Sequence, residues 1–148
     1  MNLLAAIVAG VVGTIIMTMV MAMAPRMGLP KMDIIGMLGS MFGKPNRTLG
    51  TTLHLMMGVM FAIVYTFLWD TGIGNATLLG GILFGAVHWV ITGMMMGVIP
   101  MMHTGIKAGN VPVPGVFMMN NVGVMGFVGG LIGHMIFGLV VALVYTLF

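Results

Sequence analysis

Four histidines carry most of the chemistry that this sequence could perform. The chain has five basic residues, two acidic residues and no cysteine, so a thiolate metal site, a disulfide and a cysteine nucleophile are excluded. His54, His88 and His134 each lie within a long uncharged stretch, whereas His103 lies close to Lys107. An ionisable side chain inside a bilayer is by default a functional hypothesis, and imidazole is a ligand for copper, zinc and haem iron.

Methionine is the second candidate ligand, because the chain contains 21 of them. A thioether favours Cu(I), and two methionines of the first uncharged stretch can reach the depth of the histidines. Carboxylates are too scarce to hold hard cations such as Mg²⁺ or Ca²⁺. The functional interpretation is therefore a copper or haem site, with the metal held by residues drawn from His54, His88, His134, Met17 and Met21.

The same side chains also have a purely structural interpretation. A neutral histidine between helices can bond a carbonyl or a tyrosine hydroxyl on the next helix, which contributes about 1 kcal/mol. Methionine is also a flexible filler of gaps between helices. A third interpretation is a path for protons or a substrate, and the sequence leaves all three open.

Long uncharged stretches indicate the elements that must position these residues. Charged residues make up 5% of the chain, against about 25% in a soluble domain. A helix crossing the apolar core of a bilayer needs about 20 residues, and four helices of that kind are predicted at 3–24, 49–69, 76–101 and 121–147. The predicted fold is an all-α four-helix transmembrane bundle, a single domain over 1–148.

Helix boundaries are predicted from the residues that start and stop helices. Asn75, and Asn120 or Asn121, are expected to cap the third and fourth helices, and Pro25 and Pro100 to stop the first and third. On this placement His54, His88, His134 and Met17 all lie about 20 to 24 Å below one membrane boundary, at 1.5 Å per residue. Four helices thus bring candidate ligands to nearly one level.

Basic residues predict the orientation of the bundle. Four lie between the first and second helices and one between the third and fourth, whereas the connection between the second and third contains only Asp70; the basic residues are Arg26, Lys31, Lys44, Arg47 and Lys107. Loops rich in lysine and arginine stay in the cytoplasm. We therefore predict an inner-membrane protein with both termini outside. The apolar segment 31–43 is predicted to contain a short interfacial helix.

An internal repeat is visible along the chain. Histidine, glycine, alanine, tyrosine and threonine recur 80 residues apart when segment 54–66 is compared with 134–146, and the first and third helices correspond more loosely at 75. The sequence thus predicts two parallel two-helix units, about 1–69 and 76–148, related by an axis along the membrane normal. The pairs Gly58/Ala62 and Gly138/Ala142 are expected to face inward and let helices approach.

Aromatic and acidic residues are given structural roles. Tyr65, Tyr145 and Trp69 are predicted to lie at the membrane interface, where such side chains are enriched, and Trp89 to pack inside. Asp33 is expected to form a loop ion pair with Lys31 or Arg26.

Several motifs together resemble an uncharacterised family of small bacterial four-helix membrane proteins of unknown function. They are the segment 33–41 (DIIGMLGSM), His54 with Gly58, the segment 85–89 (GAVHW), the segment 100–102 (PMM), and Gly133-His134 with Gly138 and Tyr145. The resemblance covers most of the chain. It implies the four-helix topology and carries no activity.

The predicted functions follow from what is present and what is missing. No phosphate-binding loop, zinc-protease motif or serine elbow occurs, and we predict that the protein is not an enzyme. Five scattered basic residues do not make a nucleic-acid surface, so the expected partners are the lipid bilayer and a homo-oligomer or larger membrane complex. The sequence favours an accessory or structural membrane subunit. The alternatives are a copper or haem binding protein and a small transporter with a path at the repeat interface.

Overall fold

The computed structural model describes residues 1–148 as an all-helical chain without strands. Its α-helices are α1 (Leu3–Met23), α2 (Ile34–Gly39), α3 (Arg47–Asp70), α4 (Leu78–Met95), α5 (Thr104–Lys107), α6 (Met119–Val122) and α7 (Val124–Tyr145). Short 3₁₀ turns occupy Ala24–Met27, Ile99–Met101 and Val116–Met118. Helices α1, α3, α4 and α7 are long and apolar enough to cross a membrane, which confirms the four predicted spans.

Two predicted helix starts are wrong. The side chain of Thr77, rather than Asn75, accepts the N–H of Gly80 and caps α4. Asn120 and Asn121 lie inside the separate turn α6, and α7 begins after Gly123. The backbone of Gly123 has a φ of 61°, a left-handed conformation that glycine adopts at little cost, so the chain changes direction between α6 and α7.

The prolines end helices less abruptly than expected. Helix α1 stops at Met23 and continues as a 3₁₀ turn that contains Pro25. Helix α4 stops at Met95, six residues before the predicted end, and Pro100 lies in the next 3₁₀ turn. Gly97 and Pro100 are both poor helix formers, which explains why the helical geometry tightens before the proline is reached.

The four long helices pack in a row. Extensive contacts join α3 to α1, α1 to α7, and α7 to α4, whereas α3 and α4 have no comparable contact. The N-terminal ammonium lies 2.8 Å from the Asp70 carboxylate, so α1 begins where α3 ends. All five basic residues therefore lie toward the opposite end of the bundle, which we call the basic end.

Glycines allow the close approach within the helix pairs. A methyl group at Gly10 would come within 3.0 Å of the Ala62 Cβ, and one at Gly81 within 2.8 Å of the Ala142 Cβ. At Gly138 a methyl group would lie 3.0 Å from the Gly85 nitrogen. Gly58, Ala62, Gly138 and Ala142 are all buried, so the faces that carry them point inward as predicted.

Helix α2 packs across the start of α3 at the basic end. The Ile35 carbonyl lies against Gly50, and the Asn46 carbonyl lies against Gly39. Met37 and Leu38 of α2 are buried. The helix falls inside the predicted segment 31–43 and lies at the basic end of the bundle.

Substituting Gly138 by leucine should destabilise the bundle by about 1–3 kcal/mol or more, because the added side chain meets the α4 backbone. Unfolding of the purified protein by SDS in mixed micelles measures the effect. Ile132→Leu, on the exposed side of the same helix, is the matched control and should leave the midpoint unchanged. Equal midpoints for Gly138→Leu and wild type would contradict this packing.

Candidate functional site

Two adjacent cavities, both open to the surface, lie on the basic half of the bundle. The first has a volume of about 220 Å³ and opens between charged, exposed residues, Lys31, Asp33 and Arg47. The second has a volume of about 240 Å³ and lies between α3 and α4. Its walls are almost entirely apolar, with Phe61 and Phe137 among the larger side chains.

All five predicted site residues line these cavities. Met17, His54 and His134 line both of them. Met21 lines only the first cavity and His88 only the second. One candidate residue from each long helix therefore reaches the same space, although the four helices come from distant parts of the sequence.

The hydrogen bonds of His134 and His88 orient their rings. His134 Nδ1 lies 2.8 Å from the Gly130 carbonyl oxygen; since a carbonyl can only accept, Nδ1 carries the proton and donates. In the neutral ring Nε2 is then the unprotonated nitrogen with a free lone pair. His88 Nδ1 shares a 3.0 Å hydrogen bond with the Tyr65 hydroxyl. His54 forms no such bond with the protein.

These bonds suit both interpretations of the histidines. Bonding to a carbonyl and to a tyrosine hydroxyl is what packing histidines do. A histidine that binds metal also donates its other ring N–H to a carbonyl or a similar acceptor, which fixes the tautomer. The bonds alone therefore do not separate a packing role from a ligand role.

Ring contacts tie the histidines into an aromatic cluster. The rings of His88 and His134 meet edge to face with centroids 4.7 Å apart. Phe61 lies against His88 at 3.7 Å, and Trp89 lies against His134 at 5.0 Å. The imidazoles are thus held in place by aromatic neighbours from α3 and α4.

Two methionines of α1 pack against α7 at Gly133, the residue before His134. A methyl group at Gly133 would lie 3.1 Å from Met21 Sδ and 3.4 Å from Met17 Cε. Gly133 therefore leaves room for both methionines beside His134. No three histidine or acidic side chains are close enough to hold a metal ion by themselves, so a metal here would need a methionine ligand.

An aromatic layer closes the second cavity on the side away from the basic end. Tyr65 packs against Phe84 and Phe137 with ring centroids 5.2 and 5.9 Å apart, and Trp69 lies 5.4 Å from Phe84. Tyr65 is 3% exposed and Trp69 is 8% exposed, so both side chains pack inside the bundle rather than against lipid, while their depth at the membrane interface stays a prediction. The spacing of Tyr65 from Gly58 and Ala62 on one helical face did indicate an inward position.

The mouth of the first cavity is held by an ion pair that differs from the predicted one. The partner of Asp33 is Arg47, at 3.1 Å, rather than Lys31 or Arg26. Partial burial raises the pKa of Asp33. The hydrogen bond from the Gly36 N–H and the nearby Arg47 guanidinium lower it by a larger amount, so the pKa lies below its usual value. The carboxylate thereby caps α2 and ties it to the start of α3.

His103 lies outside both cavities and has a structural role. Its Nδ1 accepts the N–H of Ile106 and caps α5, while Nε2 lies 2.8 Å from the Met37 carbonyl and donates to it. Trp89 is 1% exposed, as its predicted packing role requires.

Replacing Tyr65 by phenylalanine should destabilise the bundle by about 1 kcal/mol, because His88 Nδ1 loses its partner inside the membrane. SDS titration of the purified variant measures this change. Tyr145→Phe is the matched control, since its hydroxyl accepts the Asn2 N–H at the exposed end and water can replace it. If both variants unfold at the same SDS concentration, the buried bond contributes nothing specific.

Comparison with known proteins adds no further assignment. No family model, no curated protein and no solved structure matches this chain. The family resemblance of its motifs therefore stays a prediction.

Proposed function

We propose that this four-span membrane protein binds a soft monovalent metal ion, Cu(I), between His54, His134 and Met17. The observation that carries the proposal is that these three side chains line both cavities together. Met21 and His88 each line one of the cavities and are the candidates for a fourth ligand.

We infer that the proposed ligands converge because the chain consists of two similar two-helix units. Gly58 lies against Gly10 and Thr14 of α1 as Gly138 lies against Gly81 and Gly85 of α4. These matching contacts support two equivalent helix pairs, α1 with α3 and α4 with α7. They relate α3 to α7 by 80 residues and α1 to α4 by 71, one helical turn fewer than the 75 inferred from the sequence.

With the 71-residue relation, the site has approximate two-fold symmetry. His54 corresponds to His134, and Met17 corresponds to His88. The 75-residue relation predicted from the sequence pairs His88 with Gly13 instead. Each helix pair thus contributes one histidine from its second helix and one soft ligand from its first.

The chemistry of the donors favours Cu(I) over other metals. No carboxylate lines the second cavity, so a divalent ion would keep its full charge in an apolar interior, which is costly. A single positive charge reduces that cost, and thioether and imidazole are ligands that Cu(I) accepts. Haem is disfavoured by size, because each cavity is smaller than the roughly 300–1,000 Å³ of pockets for drug-sized ligands.

The other predicted functions have less support from the geometry. An accessory or structural subunit is the function that the sequence favours, and no contact within one chain tests it, so it stays a prediction. A transporter would need a path through the bundle, and the aromatic layer of Tyr65, Trp69 and Phe84 closes the cavity on one side.

We further propose that the basic end faces the cytoplasm of the inner membrane, with α2 in the interface and both termini outside. The support is that all basic side chains lie toward one end of the spans, where the positive-inside rule places the cytoplasm. The first cavity would then open to the cytoplasm between Lys31 and Arg47.

The absence of native cysteine allows a direct test of this orientation. A cysteine at Asn75 should react with a membrane-impermeant thiol reagent on intact cells, and one at Lys44 should react only after the cells are opened. Both positions are exposed. Lys44 is chosen for the cysteine because the side chain of the nearby Asn46 caps α3 and should stay in place. The opposite labelling pattern would reverse the orientation.

Copper binding is tested with purified protein under reducing conditions, by competition with a chromogenic Cu(I) chelator. We expect one Cu(I) per wild-type chain. His54→Ala, His134→Ala and Met17→Leu should each lower the affinity by about tenfold or more, because a lost ligand removes at least about 1.4 kcal/mol.

Met19→Leu is the matched control for Met17→Leu, since Met19 is on the same helix and is 60% exposed. Its affinity should equal that of the wild type. A wild-type protein that takes no copper from the chelator would refute the proposed function.

A further inference from the structure

The second cavity exists because α3 and α4 stand apart. In a symmetric pair of units, the contact of α1 with α7 has a counterpart, the contact of α4 with α3. The first of these is extensive and the second is not. We call the packed interface of α1 with α7 the closed seam, and the gap between α3 and α4 the open seam. The two seams occupy equivalent positions in the two helix pairs.

Gly13 makes the closed seam possible. A methyl group at this position would lie 3.1 Å from the Phe137 ring and 3.2 Å from Val141 Cγ2. Contacts of 3.1–3.2 Å are tighter than van der Waals packing of carbon atoms. A large side chain at residue 13 could not be placed without moving α7 away from α1.

The equivalent position in α4 carries a large side chain. The relation of 71 residues places Phe84 where α1 has Gly13. The Phe84 ring extends to α3 and lies 5.2 Å from the Tyr65 ring and 5.4 Å from the Trp69 ring, measured between centroids. At this level α4 thus meets α3 through edge-to-face and tilted aromatic contacts rather than through its backbone.

The cavity begins directly below this aromatic contact. It is bounded by Phe61 and Met57 of α3 and by His88 and Thr92 of α4. Phe84 itself does not line the cavity. Phe84 lies one helical turn before His88, whose ring also contacts α3 through Phe61. Beyond these aromatic contacts, no extensive backbone contact joins α3 to α4.

We propose that Phe84 is a positioning residue that holds α3 and α4 apart and so creates the space in front of the histidines. The proposal concerns the cavity of the proposed copper site but rests on the helix geometry and not on copper. Phe84 lines neither cavity. Its effect on binding is exerted through the distance between α3 and α4.

The test compares three variants at neighbouring positions. Phe84→Gly removes the spacer, and Phe84→Leu keeps most of its bulk. Leu83→Gly is the control for the effect of glycine on the helix, because it places glycine at the neighbouring position, where the leucine side chain is 56% exposed. Spin labels on cysteines at Met56 and Ile91, both exposed on α3 and α4, report the distance between the helices by pulsed electron paramagnetic resonance.

In Phe84→Gly the distance should shorten by about 2–4 Å, as α3 and α4 approach the roughly 8–10 Å axial separation of packed helices. Phe84→Leu and Leu83→Gly should keep the wild-type distance. Should Phe84→Gly fail to fold, Phe84→Ala gives the same comparison with a smaller shift. An unchanged distance in the folded glycine or alanine variant would overturn the proposal.

Copper affinity gives a second measurement, which tests the placement of the metal separately from the spacer role of Phe84. Phe84→Gly should lose copper while Phe84→Leu retains it, because only the first removes the space. If the helices close and copper still binds, the spacer role stands and the proposed placement of the metal fails. If the wild type binds no copper, the labelled distances still decide whether Phe84 is the spacer.

Discussion

The close contact of helix backbones through glycine is the constraint on which the rest of this structure depends. Lipid chains are as apolar as leucine, so apolar side chains alone do not drive helices together in a bilayer. Where Gly10 meets Gly58, and where Gly81 meets Gly138, even a methyl group would collide with the neighbouring helix. These contacts fix the pairs α1–α3 and α4–α7 and the register of the helices within each pair.

The candidate site follows from these helix pairs. Because each helix pair is locked at a glycine contact, His54 and His134 are brought to the same level, and Met17 and His88 face them from the partner helices. The histidine rings are then fixed by a carbonyl and a tyrosine hydroxyl. The row of helices is left open at a single seam, and the cavity lies there. The same helix packing therefore creates both the cavity and the proposed binding site.

Much of this could be predicted from the sequence, and the failures have physical causes. Span number and the common depth of the histidines follow from the length of uncharged stretches, which the bilayer thickness imposes. Tyr65 and Trp69 were assigned to the interface because aromatic residues near a span's end usually lie there, but packing against Phe84 buries both. The cap at Thr77 depends on how Gly74 turns the chain. The 71-residue relation between α1 and α4 follows from their backbone contacts with α3 and α7, which a comparison of residue identities along the sequence does not show.

The open seam has a mechanical consequence. Protein interiors are close-packed and resist compression, but a bundle with a gap between two of its helices can lose volume when those helices approach. Pressure favours whichever arrangement has the smaller volume. Hydrostatic pressure would therefore favour the approach of α3 to α4, whereas a ligand bound in the cavity would oppose it. Binding at the proposed copper site would therefore change how readily the gap between α3 and α4 closes under pressure.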